Sequence, residues 1–206
     1  SEQAYTEFLK KRFSDVAVIK YPHETGLFEC AVSHFRKDPS YRDYADVIDE
    51  VWFFFDVETK DIDKWEERYR IINNLRKLRK EPNIRVRLLM TTGCIEYWLM
   101  LHHRFYTPSL QTVAEKERVI SEIKAEEPLY EKGNYEITAK IAEKYPVAVK
   151  NAKKTVKRFL DEGMPGLEDT DARNQWLYRK CLTFSNVYEA IEFLENLEKN
   201  SIRKCR

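Results

Sequence analysis

The sequence predicts an α/β fold: a mostly parallel sheet flanked by helices, followed by a helical C-terminal extension. Three observations predict it. Val51-Trp52-Phe53-Phe54-Phe55 is an unbroken apolar run rich in aromatic and branched side chains, the pattern of a strand buried on both faces. A second apolar run at 84–92 starts roughly 30 residues later with a helical pattern between, the spacing of a βαβ unit with parallel strands and a right-handed crossover. From Gln111 onward the chain is helical and densely charged. The expected division is an α/β core over 1–110 and a helical region over 111–206 packed on it.

The elements follow in order. Residues 4–13 form an amphipathic helix whose apolar stripe is Tyr5, Phe8, Leu9 and Phe13. Residues 15–21 alternate weakly through Val16, Val18 and Tyr21, which predicts a strand, and Pro22 to Gly26 a turn. Phe28 to Phe35 is helical. Asp38-Pro39-Ser40 interrupts the chain before the strong strand at 51–55. Asp63 with Glu66 three residues on resembles a capping box. Trp65, Tyr69, Ile72, Leu75 and Leu78 then give one apolar helix face, and Arg68, Arg70, Arg76, Lys77, Arg79 and Lys80 the other, which is either a solvated face or a basic groove. Pro82-Asn83 ends this helix. Thr91-Thr92-Gly93 turns out of the second strand into a largely buried helix at 95–105. Helices are expected near 111–126, 135–145, 146–161, 172–180 and 187–199, with Gly163 to Gly166 as a linker.

The 206 residues hold 36 basic and 35 acidic side chains, so bulk charge does not point to nucleic acid, and any such contact must come from local patches. No apolar stretch approaches the ~18 residues of a membrane span, and no secretory signal pattern is visible. Four cysteines without C-x-x-C pairs or zinc spacing read as reduced thiols of a cytoplasmic protein. His102 and His103 are adjacent, so their rings diverge on a helix and do not chelate one ion.

The chemistry sits at the end of the first strong strand. Asp56 and Glu58 stand at i and i+2, pointing the same way from extended backbone, at the carboxyl edge where α/β sheets bind ligands. Two hard oxygen donors side by side suit Mg²⁺; a solvated loop start is the equal alternative on this segment alone. If the two strands are parallel, Glu96 approaches the same edge. Glu2 joins it if a strand precedes the first helix, as the start at Ser1 without a methionine leads one to expect. Acids gathered this closely need a divalent cation or shifted pKa values, and such a set matches metal-assisted phosphodiester chemistry. Cys94 at a helix start has no histidine–acid pair to serve it and reads as a packed residue. No Gly-rich phosphate loop is present, so ATP hydrolysis by this chain is not expected.

Thr91-Thr92-Gly93-Cys94-Ile95-Glu96-Tyr97-Trp98-Leu99-Met100-Leu101-His102 resembles the Ser-Asn-Pro-Cys-Phe-Glu-Leu-Trp-Leu-Leu-Leu-His signature of RloB-like proteins. Glu2 with Thr6-Glu7 resembles that family's opening Glu-Gly-x-x-Thr-Glu, and Phe55-Asp56-Val57-Glu58 its Phe-Asp-x-Asp. Tyr130-Glu131-Lys132 resembles its Tyr-x-Lys, Ala148 to Ala152 its Ala-x-x-x-Ala, and Leu182 to Val187 its last helix start. The chain departs from the pattern at Gln3, Glu58, Gly93 and Thr91-Thr92. The resemblance implies a TOPRIM-like core and a phage-defence or abortive-infection role. It also implies a nuclease-like centre using Mg²⁺ or Mn²⁺ on DNA or RNA. Glu2 would act as the acid–base residue, Asp56 and Glu58 as metal ligands, Glu96 as a further ligand or structural acid, and Lys132 as a phosphate contact. The alternative it implies is a non-catalytic subunit docking on an AAA-type ATPase.

Overall fold

This computed structural model describes residues 1–22, 27–79 and 81–204. Strands β1 (Glu50–Val57) and β2 (Arg85–Thr92) pair in parallel, from Glu50 against Arg85 to Val57 against Thr92. Helix α4 (Trp65–Arg76) is the crossover between them and buries Trp65, Ile72 and Leu75. The chain is thus mixed α/β with a small parallel sheet.

The period of two divides the sheet into unequal faces. Phe53, Phe55 and Val57 lie under α4 and α2 (Leu27–Lys37), where Phe28 stacks on Phe53 with centroids 4.1 Å apart. The opposite face carries Trp52, Phe54 and Asp56. It is covered in part by Tyr5 of α1 (Glu2–Arg12), edge-on to Phe54, and by Phe193 of α10 (Tyr188–Lys204), edge-on to Trp52. Burial on both faces therefore holds for β2, whose residues beyond Arg85 are all buried, and not for β1, which alternates. β2 gains its second flank from a clasp late in the chain. Thr92 N donates to Phe184 O at 2.9 Å, and Asn186 N to Met90 O at 3.0 Å. The Asn186 side chain accepts from Met90 N and donates to Leu88 O.

After Gly93 comes the short helix α5 (Ile95–Met100), in which every residue is buried. It ends five residues before the expected 105, because the chain turns at Leu101–His103. The helical half is α6 (Val113–Glu126), α7 (Tyr135–Ala142), α8 (Tyr145–Arg158), α9 (Asp171–Lys180) and α10, each close to its expected position. Thr112 and Glu115 start α6 with a full capping box. One hydrophobic core runs from Tyr5 and Phe53 through to Ile191 and Leu194, with no break at residue 110. Among the described residues no helix is long and apolar enough to cross a membrane.

Two local expectations are corrected. Residues 15–21 form no strand: Val16 and Ala17 donate to Phe13 O as a turn closing α1, and Val18 is 86% exposed. Weak alternation has no effect without a strand edge to pair with. Asp63 caps nothing. A 3-10 turn, Thr59–Lys64, runs straight into α4 with no side-chain cap, and the buried acid there is Asp61, paired with Lys64 at 2.8 Å. The turn expected at 22–26 lies, apart from Pro22, outside the described residues, as does Lys80. Three arginines of the expected basic face, Arg68, Arg76 and Arg79, are engaged by the protein itself, while Arg70 is exposed. Arg68 lies over Phe28 and Phe55 and donates to the Tyr178 hydroxyl, Arg76 binds Asp171 through two nitrogens, and Arg79 donates to Pro82 O and Asp46 O.

Candidate active site

Because β1 and β2 are parallel, their carboxyl ends share one edge. Asp56 lies opposite Thr91 and Val57 opposite Thr92. The turn that follows is closed by Gly93 N donating to Val57 O at 2.9 Å. Gly93 has φ +78, and a Cβ there would sit 2.9 Å from Leu110 Cβ, so the close approach requires glycine. This turn delivers Glu96 in the first turn of α5, near enough to the edge for its charge to act on Asp56.

Glu2 arrives from α1, whose seating is set by a buried pair. The ring of His102 is 1% exposed, and burial pushes its pKa down to about 3, so it is neutral. Its Nδ1 lies 3.0 Å from the carbonyl of Trp98, which only accepts; Nδ1 therefore carries the hydrogen. Nε2 is left to accept from the Tyr5 hydroxyl at 3.1 Å. With Tyr5, Phe8 and Leu9 buried, α1 is seated so that Glu2 at its start is near enough for its charge to act on Asp56.

Two carboxylate oxygens at this edge stand out. Asp56 Oδ1 and Glu96 Oε2 are buried and have no hydrogen-bond partner. Glu96 is fully buried; its other oxygen accepts from the Tyr130 hydroxyl at 3.1 Å and lies 3.8 Å from the Lys132 ammonium. Asp56 is pushed up to about 7, first by burial, then by the charges of Glu2 and Glu96, against which Lys132 acts in the opposite direction, with Glu58 adding a little. The field at Asp56 thus registers all four of the other expected residues. Cys94 is raised to about 12 by burial and by Glu96, so it is an inert packed thiol.

Glu58 is differently engaged. Its carboxylate is held by Lys116 and, at 2.6 Å, by Lys60. Burial works against its charge, but the two ammonium hydrogen bonds outweigh burial and keep its pKa below the usual carboxylate range. Sequence reasoning missed Lys116, whose partner is 58 residues away and which carries no local signal. The capping box at the start of α6 fixes its position over Gly93, 3.5 Å from the site of a Cβ. It also missed the part played by Tyr130, which the Tyr-x-Lys motif contained.

Among the described residues, no group of three or more His, Cys, Asp or Glu side chains is gathered to hold a metal. Mg²⁺, however, is commonly bound through one or two carboxylates and keeps several waters. Asp56 Oδ1 and Glu96 Oε2 are hard, uncompensated oxygens, so donor type and charge suit such an ion. Glu58 would have to leave its lysines to join them.

The fold and this edge define a class: an α/β protein with carboxylates gathered where two parallel strands end, and with Lys116 and Lys132 of the helical half beside them. More particularly, the chain belongs to the RloB-like protein family, which matches residues 2–194. That span includes Glu2, the acidic edge, Lys132 and the first two turns of α10. No curated protein and no solved structure matches the chain.

Proposed function

We propose that this chain is a TOPRIM-type, metal-dependent nuclease effector of bacterial antiphage defence, acting in the cytoplasm on phosphodiester bonds of DNA or RNA. The observation that carries the reading is the pair of buried, unpartnered carboxylate oxygens on Asp56 and Glu96 at the strand edge. Leaving such groups unsatisfied costs about 1–3 kcal/mol each, more for a charge, and persists where a function requires it. Asp56 would hold Mg²⁺ or Mn²⁺ with Glu96 and Glu2 around it, and Glu58 would join on release from Lys116. When bound, that ion would polarise the phosphodiester and offset charge on its oxygens. Glu2, at the start of α1 and partly exposed, would move a proton to or from the attacking or leaving oxygen. Lys132, mostly exposed, would meet the phosphate as a point charge. The core over 1–110 would carry the acids, and the region over 111–206 would supply Lys116, Tyr130 and Lys132.

The test is cleavage of plasmid DNA and of total RNA with Mg²⁺ and with Mn²⁺, comparing wild type with Asp56→Ala. Cleavage that disappears in Asp56→Ala supports the reading and identifies the substrate. A second reading, a non-catalytic subunit docking on an AAA-type ATPase, is favoured by the engagement of Glu58 with two lysines. It predicts no cleavage of either nucleic acid, and co-elution with the ATPase in Asp56→Ala as in wild type.

A further inference from the structure

Helix α8 carries a second feature, on the other side of the chemistry. Lys150, Lys153, Lys154 and Lys157 recur at spacings of three and four, so all four ammonium groups share one stripe, and all four residues are exposed. The opposite side of the helix, with Ala148, Ala152 and Val156, is buried in the core. The stripe lines a half-open cleft of about 740 Å³ between α8, α10 and the start of β2. Arg85 and Arg87 also line it, against three carboxylates: Asp169, Glu189 and Glu192. Those carboxylates are already matched. Glu189 and Asp169 bind the fully buried Arg173, and Glu192 binds Lys153. Lys154 lies over the Phe105 ring at 4.3 Å. Among the described residues, Lys150 and Lys157 have no ion-pair partner. The wall therefore carries surplus positive charge along a line of about 10 Å, seven residues at ~1.5 Å each.

We infer that the α8 cleft binds the phosphate backbone of a nucleic acid, as an exosite for the edge described above; its purpose, though not its charge, rests on the nuclease reading. A row of flexible point charges suits successive phosphates rather than one shaped small anion. A membrane surface is disfavoured, because a helix that lies on a bilayer offers an apolar face, and that of α8 is already buried. The placement is also consistent. Arg87 and Asp56 lie on the same face of the sheet, and Arg85 and Thr91 are six strand steps apart. At ~3.3 Å per step that is about 20 Å, or roughly six phosphates along one strand of a duplex at ~3.4 Å each. The cleft would hold the backbone while the edge acts a few nucleotides away.

The test is fluorescence anisotropy of labelled single-stranded RNA, single-stranded DNA and duplex DNA, each of about 20 nucleotides so as to span both regions, in EDTA to prevent cutting. Wild type is compared with Lys150→Glu/Lys157→Glu, with the milder Lys150→Gln/Lys157→Gln, and with Lys124→Glu on α6 as a control. Circular dichroism and thermal melting confirm that the variants are folded; if the reversal pair does not fold, the glutamine pair decides. The expected result is a Kd raised about tenfold or more in the reversal pair, and a log K against log salt slope shallower by about 1.4–1.8, two contacts at ~0.7–0.9 each. Lys124→Glu should stay near wild type. An unchanged Kd and slope in the lysine pairs overturns the inference. So does a cleft that binds an acidic peptide such as polyglutamate while nucleic acid does not bind. Asp56→Ala separates the two proposals: loss of cutting with binding retained leaves both standing, cutting that survives Asp56→Ala sinks only the edge, and binding insensitive to the lysines sinks only the cleft.

Discussion

Asp56→Asn should make the protein more stable at alkaline pH, which is unusual for the loss of a charged residue at a folded edge. The carboxyl is pushed up from 3.8 to about 7, chiefly by burial and then by Glu2 and Glu96. Each unit corresponds to ~1.4 kcal/mol, so the ceiling is about 4 kcal/mol. The residue is only half-buried, and solvent screening reduces this to about 2 kcal/mol. The sign follows from proton linkage. The native state holds the proton more tightly than the unfolded chain, so the contribution favours folding fully below pH 3.8 and is lost as pH rises through about 7. The difference between wild type and Asp56→Asn should therefore be small at pH 4 and reach about 2 kcal/mol in favour of the variant at pH 8. Urea unfolding at both pH values measures it, and other titrating groups cancel between the two proteins. Mg²⁺ or Mn²⁺ at pH 8 should narrow the gap by stabilising the wild type alone, by about 1.4 kcal/mol at tenfold excess over Kd. A pH-independent difference, or a variant that is less stable at pH 8, would refute the claim that Asp56 is an uncompensated acid. Equal stabilisation of both proteins by the cation would refute its role as the ligand.

Four further outcomes are expected. Gly93→Ala should lower stability by about 2 kcal/mol and depress the melting temperature, because positive φ alone costs an L-residue roughly 1–2 kcal/mol and the new Cβ meets Leu110. Asn186→Ala orphans Met90 N and Leu88 O inside the clasp and should cost about 3 kcal/mol by urea unfolding, at ~1–3 kcal/mol per buried group; a cost near zero would show that the clasp does not hold β2. Arg173→Met removes the hydrogen-bonded partner of buried Glu189, leaving it only Arg87 at 3.8 Å, and should cost about 3 kcal/mol at pH 7 by urea unfolding, with Glu189→Leu in the same chain restoring part of it. Cys94, buried with its thiol raised to about 12, should escape alkylation in the native protein at pH 8 and react only on unfolding, as read by peptide mass spectrometry.

The sequence made legible what is encoded locally. The apolar run at 51–55, the second run at 84–92 and the periodic segments of the helical half became strands and helices because each buries its own pattern. Asp56 and Glu96 were legible for the same reason: parallel pairing of those two strands is enough to bring their ends together. What was not legible depends on partners distant in sequence. The clasp of Phe184 to Asn186 on β2 joins residues more than ninety positions apart; the segment read only as resembling a helix start, and nothing local in its serine and asparagine points to the strand they bind. The lysines on Glu58 come from the next turn and from α6, so an acid that reads as a ligand by spacing is held as an ion pair by topology. The basic face of α4 shows the converse. In isolation it read as either a solvated face or a groove; Tyr178 and Asp171 of α9 engage Arg68 and Arg76, and the carbonyls of Pro82 and Asp46 engage Arg79. The surplus of positive charge lies instead on α8, where the lysine spacing was present all along and only the cleft beside it gives that spacing a use. Charge periodicity places side chains on a face; what that face binds is decided by whether the rest of the chain has already neutralised it.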